Sequence, residues 1–201
     1  MPDFKKGVFA LIKSAGYTLF ELVIVMVIAS IITAIAVAGY RTTLDSSNVS
    51  AEINALSADL AYARNEAIKQ GQNVLLCATS NPASSSPTCN NASSLATGWV
   101  VMLSGNSNTC TVSNGLAASA VLRVGPAVTT GDSITFAYSG SNTSNGICFS
   151  RLGTGTTGKF TVAAATASSS ANQFNKQCLY VSNAGLLHVV KSGSTDSFGS
   201  C

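Results

Sequence analysis

The sequence Ser14-Ala15-Gly16-Tyr17-Thr18-Leu19-Phe20-Glu21 leads into an apolar run that ends at Ala38. Between Leu19 and Ala38 the only charged side chain is Glu21. A helix of about 20 apolar residues spans roughly 30 Å of hydrocarbon. The run therefore predicts a membrane-spanning helix that carries one carboxylate near its start.

The residues before the run indicate a short basic leader that is removed. An ordinary secretory signal is cut after its apolar run, at a small-x-small site. Here the small residue Gly16 precedes the run, so a cut after it makes Tyr17 the new N-terminus and keeps the helix. The leader carries Lys5, Lys6 and Lys13. By the positive-inside bias, the leader is expected in the cytoplasm and the chain after Arg41 outside.

This arrangement resembles the type IV pilin signature, in which Phe usually stands where this chain has Tyr17. The resemblance implies cleavage between Gly16 and Tyr17 by a prepilin peptidase, followed by N-methylation of Tyr17. It also implies that Glu21 meets the free N-terminal amine of a neighbouring subunit during assembly. The alternative role for Glu21 is stabilisation of the helix dipole.

Beyond the membrane run, apolar residues recur at spacings of three and four, which predicts an amphipathic helix that Gly71 ends. The apolar positions are Val49, Ile53, Leu56, Leu60, Ala63 and Ala67. The acidic residues are expected largely on the other faces: Asp45, Glu52, Asp59 and Glu66.

After Gly71 the composition shifts to Asn, Ser, Thr and Gly, with short β-rich runs between turn residues. Seven or eight such strands predict an antiparallel sheet, or two small sheets. The predicted strands are 73–78, 98–104, 120–124, 133–138, 146–149, 159–164, 178–182 and 186–190. Exposed loops are predicted at 81–96 and 139–145.

The stretch 60–77, Leu-Ala-Tyr-Ala-Arg-Asn-Glu-Ala-Ile-Lys-Gln-Gly-Gln-Asn-Val-Leu-Leu-Cys, narrows the family. It is similar to the passage from helix to first strand in the H-type minor pseudopilins and minor pilins, the GspH/FimT/FimU group. Segments 98–101 and 181–185 are also similar to that group. Arg64 and Glu66 are interpreted either as a solvated helix end or as residues that fix the turn into the sheet.

The resemblance implies an α+β, type IV pilin-like fold: a long N-terminal helix packed on an antiparallel β-sheet head with disulfides. The predicted parts are a prepilin leader (1–16), a transmembrane and assembly helix (17–40), an amphipathic helix (41–71) and a β-rich globular head (72–201).

All six cysteines lie beyond the membrane run, where an exported head meets an oxidising compartment. They are Cys77, Cys89, Cys110, Cys148, Cys178 and Cys201. Disulfides are favoured over zinc, because the chain has no Cys-x-x-Cys pair and one histidine. Sequence proximity favours Cys77 with Cys89. The resemblance favours Cys178 with Cys201, which leaves Cys110 with Cys148.

No catalytic constellation is present in the sequence. His188 lies in an alternating strand pattern, and no Gly-x-Ser-x-Gly motif occurs on a strand-to-helix turn. The glycine-rich segment 153–158 lacks a following helix and the Lys-Ser/Thr pair of a phosphate loop, so it predicts a hairpin turn. We therefore expect that the protein is not an enzyme and that it binds no cofactor and no metal. The resemblance to type IV pilins implies that it is instead a substrate of prepilin peptidase and N-methyltransferase.

The formal charge of +3 does not indicate a nucleic-acid binder. Some members of the group bind DNA through Gly-Arg-x-Arg near the C-terminus, whereas segment 185–188 here reads Gly-Leu-Leu-His. Both arginine positions are replaced, and phosphate affinity depends on Lys and Arg contacts. The remaining candidates for DNA or anion contacts are Arg151, Lys159, Lys176 and Lys191.

The function implied by the resemblance is that of a minor type IV pilin. Such a chain primes pilus assembly in a tip complex with other minor pilins and the major pilin, and thereby serves twitching motility, adhesion and DNA uptake. It would first lie in the bacterial inner membrane as a single-pass protein with its head in the periplasm. The alternatives are a minor pseudopilin of a type II secretion system and a DNA-binding receptor of natural transformation.

Overall fold

The computed structural model describes residues 16–90, 92–104, 121–138, 146–165 and 175–201. The chain divides into two compact units between Tyr40 and Arg41. The second unit holds the later part of the helix and all the strands.

The helix α1 spans Leu19–Gln70. Gly71 follows it with φ of +65°, a left-handed conformation that Gly adopts readily and that commonly ends helices. The predicted end at Gly71 is therefore confirmed. The predicted start at Tyr17 is two residues early, because Thr18 caps the helix.

Ten strands follow α1 in the described part of the chain. They are β1 (Val74–Ala78), β2 (Trp99–Leu103), β3 (Val121–Gly125), β4 (Ser133–Tyr138), β5 (Gly146–Phe149), β6 (Gly158–Ala163), β7 (Lys176–Val181), β8 (Leu187–Lys191), β9 (Thr195–Asp196) and β10 (Gly199–Ser200).

The strands form two four-stranded sheets and one small ribbon. The first sheet has the order β3-β2-β1-β5, the second has the order β4-β6-β7-β8, and β9 pairs with β10. Every pairing is antiparallel. The predicted α+β class, with a long helix and an antiparallel head, is confirmed.

Strand β1 is buried on both faces of the first sheet. Successive side chains of a strand point to opposite faces, and all five residues of β1 are buried. Val74, Leu76 and Ala78 belong to the main core, whereas Leu75 and Cys77 belong to a second, smaller cluster. Helix packing thus covers only one face of this sheet.

The predicted apolar stripe of α1 forms one side of the main core. Its six members, from Val49 to Ala67, are each at most 1% exposed. Trp99 and Phe149 of the first sheet and Phe160 of the second sheet lie in the same cluster. Full burial of one large apolar side chain contributes about 1.5–3 kcal/mol. The stripe therefore holds α1 against both sheets.

The prediction of an exposed loop at 81–96 needs correction. The segment 81–96 is not an exposed loop throughout, because Cys89 and Leu95 are each 2% exposed. Leu95 N–H donates to the carbonyl oxygen of Ile134 at 2.8 Å, which holds this part of the loop beside β4. The segment 139–145 lies outside the described residues. Strands β9 and β10 were not predicted, since two-residue strands leave no alternating pattern.

The glycine-rich segment 153–158 is only locally a hairpin. Phe149 forms an antiparallel bridge with Gly155, but the chain then leaves the first sheet, and β6 joins β4 and β7 in the second. Local turn residues could not reveal this change of sheet.

Candidate functional site

The N-terminal end of α1 is capped by Thr18. Glu21 N–H donates to Thr18 Oγ1 at 3.2 Å and to the Thr18 carbonyl oxygen at 3.1 Å. Thr-x-x-Glu before an apolar run is the sequence of a capping box, in which the residue at the fourth position is Glu or Gln. Glu21 therefore stands in the first turn of the helix, close to the residue where the predicted cut falls.

The predicted cleavage site is open. Gly16 and Tyr17 are exposed, and a Cβ atom placed on Gly16 would meet no atom within 4 Å. The open backbone is compatible with access by a peptidase, and cleavage after Gly16 stays a prediction.

The first half of α1 exposes its apolar side chains. Leu19–Ala36 has a mean hydropathy of 2.7, and none of it is buried. Among the described residues it is the one helix whose length and composition suffice to cross a membrane. Exposed apolar surface of this extent marks a membrane or protein contact.

The hydroxyl groups within this apolar segment are satisfied by the helix itself. Ser30 Oγ donates to the carbonyl oxygen of Val27, and Thr33 Oγ1 donates to that of Ala29, each at 2.7 Å. Such back-bonding lets hydroxyl side chains enter hydrocarbon without an external partner. The exposed carboxylate of Glu21 is the remaining polar side chain of the segment.

Further along α1, Arg64 joins the helix to two turns of the head. Its Nε donates to the carbonyl oxygen of Gly153 at 3.0 Å, and its Nη2 donates to that of Ala184 at 3.1 Å. A Cβ atom on Gly185 would collide with the Gly153 carbonyl oxygen. Arg64 is thus a half-buried residue whose guanidinium group is bound by the head. It fixes the turns after β5 and β7 rather than the turn into β1.

Asp59 is a buried carboxylate on the core face of α1, 3% exposed. Trp99 Nε1 donates to Asp59 Oδ2 at 2.7 Å. Arg123 Nε lies 2.8 Å from Asp59 Oδ1 as an ion pair, without hydrogen-bond geometry, since Oδ1 has no hydrogen-bond partner. Arg123 also lies over the ring of Tyr62, 5.6 Å from its centroid. The placement of Asp59 away from the apolar stripe was therefore wrong.

Two family models match this sequence. The prokaryotic N-terminal methylation motif matches residues 11–37, and the model of type II transport protein GspH matches residues 52–185. The chain belongs to the GspH family. The predicted resemblance to the GspH/FimT/FimU group of minor pilins and pseudopilins is confirmed.

Solved structures of two other proteins are similar to this GspH-family chain. The type IV minor pilin FimU of Pseudomonas aeruginosa is 17% identical, with a TM-score of 0.44 over 74% of this chain and 97% of that chain. The minor pseudopilin EpsH from the Type 2 Secretion System of Vibrio cholerae is 12% identical, with a TM-score of 0.42 over 71% of this chain and 98% of that chain. No curated protein matches the sequence.

Disulfides close two segments of the GspH-family head. Cys77 is bonded to Cys89, and Cys178 is bonded to Cys201, as predicted. Cys110 lies outside the described residues, so its pairing with Cys148 stays a prediction.

The C-terminal ribbon is held on the outer face of the second sheet. Beside the disulfide of Cys201, Tyr180 Oη donates to the Ser200 carbonyl oxygen at 2.6 Å. His188 stacks on Phe198 with ring centroids 4.7 Å apart. The single histidine therefore packs against an aromatic ring and is half-buried.

The four candidate DNA contacts are not gathered in one place. Lys191 pairs with Gln177, and Lys176 precedes Gln177 by one residue, so the two lysine side chains point to opposite faces of the second sheet. Lys159 pairs with Tyr180, four residues along β7 and about 13 Å away at the usual strand rise. Arg151 lies in the turn after β5. DNA binding through these residues stays a prediction.

Proposed function

We propose that this GspH-family chain is a minor type IV pilin that starts pilus assembly in a tip complex with other minor pilins and the major pilin. The observation that carries the proposal is the exposed apolar helix Leu19–Ala36, which carries one carboxylate and lies within the N-terminal methylation motif. A prepilin peptidase would cut after Gly16, and N-methylation would follow at Tyr17.

The assembly step depends on Glu21. When a subunit leaves the membrane, contacts between helices replace contacts with lipid. An intramembrane charge is expensive unless a partner neutralises it. The N-terminal amine of Tyr17 on a neighbouring subunit is such a partner, and the capped first turn presents Glu21 near the same depth as its own N-terminus.

Before assembly, the chain would lie in the inner membrane as a single-pass protein with its head in the periplasm. The basic leader favours this orientation. The disulfides Cys77–Cys89 and Cys178–Cys201 are those of a head that matures in an oxidising compartment. Its later location would be the tip of the filament.

One observation favours a second function, that of a minor pseudopilin in a type II secretion system. The family model that matches residues 52–185 is described as a type II transport protein. The two functions share processing, membrane insertion and Glu21 pairing, and they differ in partner subunits.

The test compares a deletion strain, the same strain with the gene restored, and one restored with Gly16→Val. Surface pili are counted by electron microscopy, and secreted proteins are measured in the same cultures. We expect pili to be lost on deletion, restored by the wild-type gene and not restored by Gly16→Val, with secretion unchanged. Lost secretion with normal pili would favour the pseudopilin, and no change in either would contradict both.

A further inference from the structure

Two acidic residues lie where the second half of α1 faces the chain segment before β4. Thr130 Oγ1 donates to Glu52 Oε1 at 3.1 Å. Two residues further on, Asp132 is 6% exposed, and its Oδ1 accepts the N–H of Ala165 at 3.0 Å. Each carboxylate therefore has one oxygen engaged by the protein.

The second oxygen of each carboxylate has no partner. Glu52 Oε2 and Asp132 Oδ2 are both buried and have no hydrogen-bond partner. The ion pairs Lys69–Glu66 and Arg123–Asp59 lie elsewhere. An unsatisfied buried oxygen of a charged group is more costly than the 1–3 kcal/mol typical of neutral groups. Each of these oxygens needs a proton, a water molecule or a cation as its partner.

The electrostatics of the pair also favour a cation. Burial raises the pKa of Glu52, the hydroxyl of Thr130 lowers it, and the negative charge of Asp132 raises it. Of these causes, burial attracts no cation, whereas the negative charge of Asp132 attracts a metal ion as well as a proton. Protonation of Glu52 and binding of a metal ion are therefore the two ways of relieving this repulsion.

We propose that Glu52 and Asp132 bind a calcium ion through their unpartnered oxygens, and that the ion fastens α1 to the segment before β4. Calcium is a hard cation that takes six to eight oxygen ligands in flexible geometry, including carboxylates and waters. Magnesium requires a near-ideal octahedron and loses its waters reluctantly, so a site with two protein carboxylates from separate segments favours calcium.

We expect the proposed site to bind calcium with modest affinity. The described residues contain no group of three or more His, Cys, Asp or Glu side chains that could hold a metal, so waters must supply much of the coordination. Calcium sites of extracellular modules have dissociation constants of about 10⁻⁴–10⁻³ M. Such a site is filled where calcium is millimolar and empty where it is scarce.

The experiment measures the unfolding temperature of the full chain in detergent micelles at neutral pH and constant ionic strength. The conditions are EDTA, about 10 mM calcium and about 10 mM magnesium, chosen to exceed the expected dissociation constant. The variants are Glu52→Gln and Asp132→Asn, which keep side-chain size while removing one charge. Glu66→Gln is the matched control, because it makes the same change elsewhere on α1.

We expect calcium to raise the unfolding temperature of the wild type by about 3–5 °C, and magnesium to raise it less. Glu52→Gln and Asp132→Asn should unfold in EDTA at or above the wild-type temperature, because they relieve repulsion, and should not respond to calcium. Glu66→Gln should respond as the wild type does.

Four results would overturn the proposal. They are equal wild-type temperatures in EDTA and calcium, an equal response to magnesium, a calcium response that survives in both site variants, and a response that is lost in Glu66→Gln. A wild type that responds to pH but not to calcium would show that protonation of Glu52 alone relieves the repulsion.

Discussion

Two roles compete for Glu21, the one charged residue of the apolar helix. Its position relative to Thr18 is that of a capping box, in which Glu and Gln serve equally. The charge is needed only if an amine of another subunit pairs with it. The two roles can therefore be separated by a substitution that keeps the size and shape of the Glu21 side chain but removes its charge.

Glu21→Gln should leave membrane insertion unchanged and reduce incorporation into filaments at least tenfold, because Gln keeps the cap and removes the charge. The measurement is the amount of the chain in membranes and in sheared filaments by immunoblot. Glu66→Gln is the control and should assemble normally. Normal incorporation of Glu21→Gln would remove the charge-pairing role.

Arg123→Met should lower the free energy of unfolding by about 1–3 kcal/mol, because it leaves the carboxylate of Asp59 buried without its cation. The expected loss is below the 3–5 kcal/mol of a fully buried pair, since half of the Arg123 side chain is exposed. Urea unfolding measures the loss. The exposed Arg151→Met is the control, and equal effects of the two variants would contradict this account.

Because the pKa of Glu52 is raised in the folded protein, we expect the free energy of unfolding to depend on pH in calcium-free buffer. The folded protein binds the Glu52 proton more tightly than the unfolded chain does, because burial raises the pKa of this group above its usual 4.5. Its stabilisation is thus present below about pH 4.5 and is lost as pH rises through the folded pKa. The free energy of unfolding of the wild type minus that of Glu52→Gln should fall as pH rises. A constant difference would show that Glu52 is not perturbed.

At the level of elements, Arg64 joins α1 to the turns after β5 and β7. The two turns approach each other closely at Gly153 and Gly185. Gly185 and Gly71 both have positive φ, 71° and 65°. Of these two glycines, only Gly185 lacks room for a Cβ atom, which would collide with the Gly153 carbonyl oxygen. A Cβ atom on Gly71 would meet no atom within 4 Å.

Gly71→Ala should therefore lower the free energy of unfolding by about 1–2 kcal/mol, the penalty of a left-handed Ala, and Gly185→Ala should lower it by clearly more. Thermal unfolding of both variants measures the difference. Equal losses would mean that the contact between the two turns contributes nothing.

The elements of this fold were largely predictable, because their signals are local. The end of α1 at Gly71 and the strand predicted at 133–138 follow from a helix terminator and from alternation within a few residues. The burial of Asp59 was missed although its sequence position carried a signal, since it lies three residues after Leu56 and four before Ala63. The change of sheet after β5, the hydrogen bond from Thr130 to Glu52, and the partners of Arg64 depend on long-range packing, which no local pattern contains.

Across the whole molecule, the two family matches cover two different regions, an exposed apolar helix and a packed head. Residues 11–37 carry the methylation motif and include the exposed apolar helix, while residues 52–185 carry the GspH match and most of the buried core. In the proposed function, the processed chain enters a filament through the first region. The second region then forms the head that contacts partner subunits.

The most direct test is mass spectrometry of sheared surface filaments. The account predicts that the chain is present in far smaller amount than the major subunit, and that its N-terminus is methylated Tyr17. Absence of the chain from filaments, or a chain that still carries residues 1–16, would contradict it.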